Sequence, residues 1–194
     1  MDVKDAIEKR RAYRSLAPVE ITDDIIAQLV SAAKLAPSCF NNQPWKYIFV
    51  KSKDALERIK PVFNKGNEWC HAASLVIVVL AKKDFDCVIK EREYYLFDAG
   101  LATGQMILRA AELGLVAHPI AGYSPGKARE ILGIPEDFSV VTLVNCGKKD
   151  ERYNNGLLNE KQAESERSRP ERLPDENVFS IDAFDARLNV KVEH

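Results

Sequence analysis

The stretch Ala36-Pro37-Ser38-Cys39-Phe40-Asn41-Asn42-Gln43-Pro44-Trp45 joins two kinds of secondary structure. Ahead of it, Ile25, Ile26, Leu29, Val30, Ala33 and Ala36 form a helical stripe that stops at Pro37, because proline disfavours a helical conformation in the residue before it. After it, Lys46-Tyr47-Ile48-Phe49-Val50 reads as a strand. The loop between carries amides, a serine and a cysteine, and no charge. Side-chain amides donate and accept hydrogen bonds, which suits a neutral heteroaromatic ring bearing both kinds of group. The same side chains also mimic backbone turns, so the loop alone leaves both readings open.

Upstream, Val3 and Ile7 at helical spacing predict a first helix over 2–12, ending near Tyr13. Its far end carries Arg10-Arg11-Ala12-Tyr13-Arg14. Arginines there complement the helix macrodipole, yet their forks also match phosphate oxygens. Thr22, followed by Asp23 and Asp24, starts the second helix. Downstream, Ser52 caps a short helix through Ile59, and a polar turn-rich segment, Asn64-Lys65-Gly66-Asn67-Glu68-Trp69, follows. The run from Ala72 to Ala81 is apolar except for Ser74, too short to span a bilayer and right for a buried strand.

Residues 91–113 read as the best helix, with Leu96, Ala99, Thr103, Met106, Ile107, Ala110 and Leu113 at the helical period and Gly114 as the stop. Small residues at Gly100, Ala102, Thr103 and Gly104 permit a close neighbour, helix or flat ligand, although core packing explains them as simply. A strand from Leu115 runs into His118-Pro119-Ile120-Ala121-Gly122-Tyr123, and Ser124-Pro125 starts a helix that ends at Leu132-Gly133. Residues 138–146 form a strong strand closing on Gly147-Lys148-Lys149. Beyond Asp150 the chain becomes dense in charge, with Pro170 and Pro174, and reads as a connector unable to build a core. Val178, Phe179, Ile181, Phe184, Leu188 and Val190 then suggest an arm that docks on a second subunit.

Helices alternating with strands predict an α+β fold, a three-layer α/β/α sandwich. The 194 residues suit one domain, 1–194, with about 150–194 as an extension. A net charge of -1 supplies no global field for nucleic acid or an anionic membrane. No amino-terminal signal segment is visible, and the four cysteines lie far apart without a Cys-x-x-Cys. That pattern predicts no metal site and a reduced, cytoplasmic setting. No Gly-x-Gly-x-x-Gly follows a strand, no P-loop or Gly-x-Ser-x-Gly occurs, and three histidines leave few candidates for a hydrolytic triad.

Together these pieces resemble the nitroreductase family of flavoproteins, from Arg10 to about Lys149. The arginine cluster, the loop from Pro37 to Trp45, the helix segment Asp98-Ala99-Gly100 and Pro119-Ile120-Ala121-Gly122 carry the resemblance through their order and spacing. It implies a homodimer with one FMN in each of two interface sites, a central sheet that is mixed but mostly antiparallel, and the C-terminal arm extending onto the partner subunit. By analogy, Arg10, Arg11 and Arg14 hold the phosphate and ribityl chain, and Ala12 contributes backbone. Pro37, Ser38 and Cys39 border the flavin ring from the second subunit, and Asn41 and Gln43 meet its polar edge. Asn67 is a further flavin contact, Pro119, Ile120, Ala121 and Gly122 lie along one ring face, and Lys148 and Lys149 complete the phosphate pocket.

No catalytic side chain is expected, since the flavin carries the chemistry. The implied cycle is ping-pong: NAD(P)H delivers hydride to N5, and a nitroaromatic, quinone or enone then takes the electrons. Reductive dehalogenation, flavin breakdown, or flavin binding with little turnover are alternatives. Two departures from the family stand out: Ala121 where many members carry Glu, and Cys39 with Phe40 where smaller or hydroxylic residues are common. Cys39 reads as a half-buried inert thiol rather than a redox-active one. Phe40, Tyr94 and Tyr95 are the candidates for a substrate pocket.

Overall fold

The apolar run read at 72–81 becomes the central strand, and the other elements are laid against it. A computed structural model describes residues 1–152 and 156–192. The chain opens with helix α1 (Val3–Lys9), the short strand β1 (Leu16–Ala17) and helix α2 (Asp23–Lys34). Strand β2 (Trp45–Val50), helix α3 (Lys53–Ile59) and strand β3 (Leu75–Ala81) follow. A small hairpin, β4 (Val88–Ile89) and β5 (Arg92–Glu93), precedes helix α4 (Tyr95–Glu112). Strand β6 (Val116–Ile120), helix α5 (Pro125–Leu132), strand β7 (Ser139–Lys149) and helix α6 (Glu160–Glu164) complete the set.

Strand β3 is buried along its whole length, and its side chains alternate between two cores. Val76, Val78 and Leu80 point into one core with Ile59, Val62, Trp69 and Leu143. Leu75, Ile77, Val79 and Ala81 point into the other with Leu29, Ala33, Ala99 and Met106 from α2 and α4. A strand covered on both faces makes three layers, as the α+β reading requires. Every pairing among the described strands is antiparallel.

The longest strand, β7, organises the sheet. On one side it pairs with β3, from Leu75↔Cys146 to Ala81↔Ser139. On the other it pairs first with β6, from Ile120↔Leu143 to Val116↔Gly147, and then with β1, where Leu16 faces Lys149. Strand β2 lines the far edge of β3, with Trp45 opposite Ala81.

The caps read from sequence do their work: Thr22, Ser52 and Ser124 accept from Ile25, Ala55 and Lys127 N–H. The helix expected from residue 91 begins later, at Tyr95, because Lys90 turns through a positive φ of 57° and residues 88–93 fold back as the hairpin. Helix α6 appears inside what the sequence reads as a charged connector; Asn159 and Gln162 cap it reciprocally. Among the described residues no helix is long and apolar enough to cross a membrane.

Candidate functional site

Helix α1 stops at Lys9, and Arg10 turns into extended backbone at φ -60°, ψ 122°. Residues 10–15 then run past the Lys149 end of β7, where Asp150 N donates to Ser15 O at 3.0 Å. This places Arg10, Arg11, Ala12 and Arg14 on the wall of a cavity of about 290 Å³. His118 of β6 forms part of the wall, and Ser165, Glu166, Arg169, Pro170 and Arg172 from beyond α6 form its roof.

That roof corrects the sequence reading of residues 160–177 as a connector. Glu166 is buried, and its carboxylate accepts from the N–H groups of Arg14 and Ser15 and from the Ser15 hydroxyl. Arg11 reaches back to Ser168 O, Arg14 Nη1 donates to Ser165 Oγ at 3.3 Å, and Arg169 donates to the carbonyls of Glu8 and Arg10. Gln162 donates to Gly66 O at 2.9 Å. The first half of the C-terminal segment therefore packs on its own chain. In the second half Val178, Phe179, Ile181 and Phe184 stay exposed.

The cavity is electropositive. Among the described residues Arg10, Arg11, Arg169 and Arg172 have no carboxylate partner; the contacts of the last three are to carbonyl oxygens and, for Arg11, to Tyr13. Partial burial, with Arg169 and Arg172 nearby, lowers the pKa of Arg10. His118 is buried and donates through Nδ1 to Tyr13 O at 3.0 Å; burial holds its pKa down at about 4, so the ring is neutral near pH 7. Guanidinium forks converging without their own anions form a donor set suited to a phosphate. Sequence reading missed Arg169, Arg172 and Glu166; the spacing of Asn159 and Gln162 was the one local signal that the segment is ordered.

Asn67 and Gly122 lie together. Asn67 Nδ2 donates to Gly122 O at 2.9 Å, and its Oδ1 accepts from Trp69 Nε1 at 3.1 Å. A Cβ on Gly122 would collide with Asn67 Nδ2, so the close approach requires glycine there. Pro119 faces Val144, and Ile120 faces Leu143, on β7; Ala121 follows as the strand ends. Lys148 and Lys149 are not in the cavity wall: Lys148 is exposed, and Lys149 Nζ is paired with Glu151 at 2.7 Å and lies 5.0 Å from the Tyr13 ring centre.

The loop at 37–43 lies elsewhere. It precedes Trp45, whose register runs through Ala81 to Ser139, the opposite end of β7 from the arginines. At about 3.3 Å per residue, the 11 residues of β7 separate the two ends by roughly 30 Å. Within one chain, the residues that the family pattern groups around one ligand thus form two sets. The loop is tightly specified. Gln43 N donates to Ser38 Oγ at 3.0 Å, and Cys39 N donates to the buried Asp98 at 2.7 Å. Burial, reinforced by the neighbouring Asp86, raises the pKa of Asp98. Phe40, Asn41 and Gln43 hold φ of 48°, 59° and 51°, a region costly for side-chain-bearing residues. Pro37, Phe40 and Asn41 are exposed, as are Leu96 and Phe97 just beyond Tyr94 and Tyr95, which begin α4.

The reading of Cys39 as an inert thiol is overturned. Cys39 is joined to Cys87 by a disulfide that closes 48 residues of chain, a pairing invisible to a spacing rule that looks for Cys-x-x-Cys. Asp86 lies beside it, giving a Cys39, Asp86, Cys87 group within 4.8 Å.

A model of the nitroreductase family matches residues 7–68 and 64–148. A protein of Archaeoglobus fulgidus, provisionally named NADH dehydrogenase/NAD(P)H nitroreductase, is 31% identical over 155 residues, covering 75% of this chain and 85% of its own. The crystal structure of a nitroreductase family protein from Clostridium novyi NT superposes with a TM-score of 0.73 at 27% identity, covering 78% of this chain and 87% of that one. A provisionally assigned nitroreductase from Exiguobacterium sibiricum, solved in complex with FMN, shares the fold at a TM-score of 0.77 and 22% identity, over 93% of this chain and 97% of that one. The arginine cavity, the amide loop and the sheet that separates them are thus parts of a chain that belongs to the nitroreductase family.

Proposed function

We propose that this chain is an FMN-dependent NAD(P)H oxidoreductase that acts as a homodimer on a small organic acceptor such as a nitroaromatic, quinone or enone. The observation that carries the reading is the cavity in which Arg10, Arg11, Arg169 and Arg172 have no carboxylate partner among the described residues: it offers several charge-assisted donors to one phosphate in a protein of net charge -1. Arg10, Arg14, Arg169 and Arg172 would hold the phosphate, with Arg11 and the Ala12 backbone beside it. The segment from Pro119 to Gly122, buttressed by Asn67, would border the flavin ring. Bound FMN would supply the redox chemistry, taking electrons from NAD(P)H and passing them to the acceptor.

The loop at 37–43 supports the dimer. It lies roughly 30 Å along β7 from the arginines of its own chain, farther than one flavin mononucleotide spans. A second copy brings Pro37, Ser38, Cys39, Asn41 and Gln43 to the ring, and the outward Gly100 and Gly104 of α4, with open space around each, suit close packing of that copy. Phe40, Tyr94 and Tyr95 would then flank the acceptor.

The test is the absorption spectrum of the purified protein, with its flavin released and identified, before and after anaerobic NADH or NADPH. Bound FMN that bleaches supports the oxidoreductase reading and names the donor. No flavin after reconstitution would overturn it. A monomer in solution that still binds FMN tightly would overturn the shared site.

A further inference from the structure

We propose that Cys39 and Cys87 form a reversible dithiol–disulfide couple that sets how firmly the loop at 37–44 is held against the segment at 86–94. The other two cysteines give the contrast. Cys70 and Cys146 are free and buried, and burial raises both thiols, Cys146 to about 12, so neither is nucleophilic near neutral pH. Cys39 and Cys87 are only half-buried, within reach of a solvent-borne reductant, and they are the pair that is bonded.

The bond joins two segments with few other ties between them. From the loop, Asn42 Nδ2 donates to Asp86 Oδ1 at 3.3 Å. On the other side, Cys87 O accepts from Tyr94 N at 3.3 Å, which fixes the bonded cysteine to the start of α4 and closes the hairpin. The loop keeps positive φ at Phe40, Asn41 and Gln43, conformations that persist only where the surroundings over-determine them. Removing a covalent tether from such a segment leaves a few hydrogen bonds to hold it.

The exchange chemistry follows from the neighbours. A thiolate of an external dithiol attacks the sulfur of Cys87, the S–S bond breaks, and Cys39 leaves as a thiolate that takes a proton from solvent. Cys39 leaves because Asp86 Oδ1, 3.6 Å from Cys87 Sγ, opposes negative charge on that sulfur. The second thiol of the reductant then resolves the mixed disulfide and releases Cys87 as a thiol, whose S–H donates to Asp86. The external dithiol is oxidised to a disulfide, and two electrons and two protons pass to the chain.

The experiment equilibrates the full chain, with whatever cofactor it retains, across ratios of reduced to oxidised glutathione in EDTA. Acid quenching, alkylation and peptide mapping give the state of each cysteine. Hydrogen exchange of residues 38–43 and 87–94 is read in the same samples. We expect one two-electron transition confined to Cys39 and Cys87, with exchange in both segments rising about tenfold on reduction. The C39S/C87S variant should show the fast exchange at every ratio; if it does not fold, reduced wild-type protein supplies the same comparison. Free thiols at both positions in oxidised glutathione would overturn the couple. A crosslink whose reduction leaves exchange unchanged would overturn its hold on the loop. Neither readout requires bound flavin, and the cysteine titration alone is read without reference to it.

Discussion

The two ends of β7 are held by different means. At the Lys149 end, an extended arginine segment, a β6 histidine and residues 165–172 meet across more than a hundred residues of sequence, through Glu166 and a set of guanidinium-to-carbonyl hydrogen bonds. At the Ser139 end, a short loop is fixed by its own turns, by Asp98 and by one covalent bond. The first end gathers guanidinium groups from both ends of its own chain around one cavity. The second is built to present uncharged donors and acceptors outward. A charged recognition site needs cations gathered from several places, whereas a neutral one needs a rigid local shape.

Substitutions can break this contrast. Removing Arg169 and Arg172 together should weaken FMN binding by about a hundredfold, near 3 kcal/mol, since hydrogen bonds to charged groups contribute about 1.5 kcal/mol each or more. Asn41→Ala at the other end should cost no more than about tenfold, a neutral hydrogen bond being weaker. Flavin fluorescence titration of both proteins measures the difference, and equal losses would erase it.

The histidine at the arginine end gives a pH signature. His118 titrates at about 4 when folded against an ordinary value of about 6.5, so the unfolded chain binds the extra proton first. Its contribution is intact above about pH 6.5 and is lost as pH falls toward 4, a cost approaching about 3 kcal/mol. Urea unfolding at pH 7 and at pH 4 should show this fall, and His118→Gln should flatten it.

Glu166→Ala should lower stability by about 2–3 kcal/mol, because it strands the buried donors of Arg14 and Ser15. Calorimetry should read this as a fall of roughly 5–10 °C in Tm. The smallest effect is expected in the loop. Phe40 is 86% exposed at φ 48°, so Phe40→Gly should stabilise by no more than about 1 kcal/mol, where the same change in a regular helix destabilises.

These sites also show what could be read without the fold. The periods at 25–36 and 72–81 announced α2 and β3 because side-chain spacing is a local property. The arginine cluster at 10–14 was legible as a local concentration of positive charge for the same reason, and the structure places Arg10, Arg11 and Arg14 on one cavity wall. Arg169 and Arg172 could not be placed, since their surroundings, Pro170, Pro174 and many charges, look alike in a solvated connector and in a roof. The partner of Cys39 was hidden because a disulfide across 48 residues leaves no spacing rule to follow. Lys148 and Lys149 sit at the same strand end but outside the cavity wall, Lys148 exposed and Lys149 paired with Glu151. The opposed placement of loop and arginines needed the register of β2, β3 and β7 together.

The roof made by residues 165–172 also bears on how the protein is made. Glu166 and its hydrogen-bonding partner Ser15 lie 151 positions apart, so the ribosome delivers one long after the other. The buried residues of both cores precede Lys149, with Leu157 and Leu158 packed against one of them from beyond it, and domains consolidate in the order in which they emerge. For the seconds of synthesis between those points the cavity lacks the Ser165, Glu166, Arg169 and Arg172 that line it in the finished molecule, so two of its arginines join it only when the end of the chain folds back.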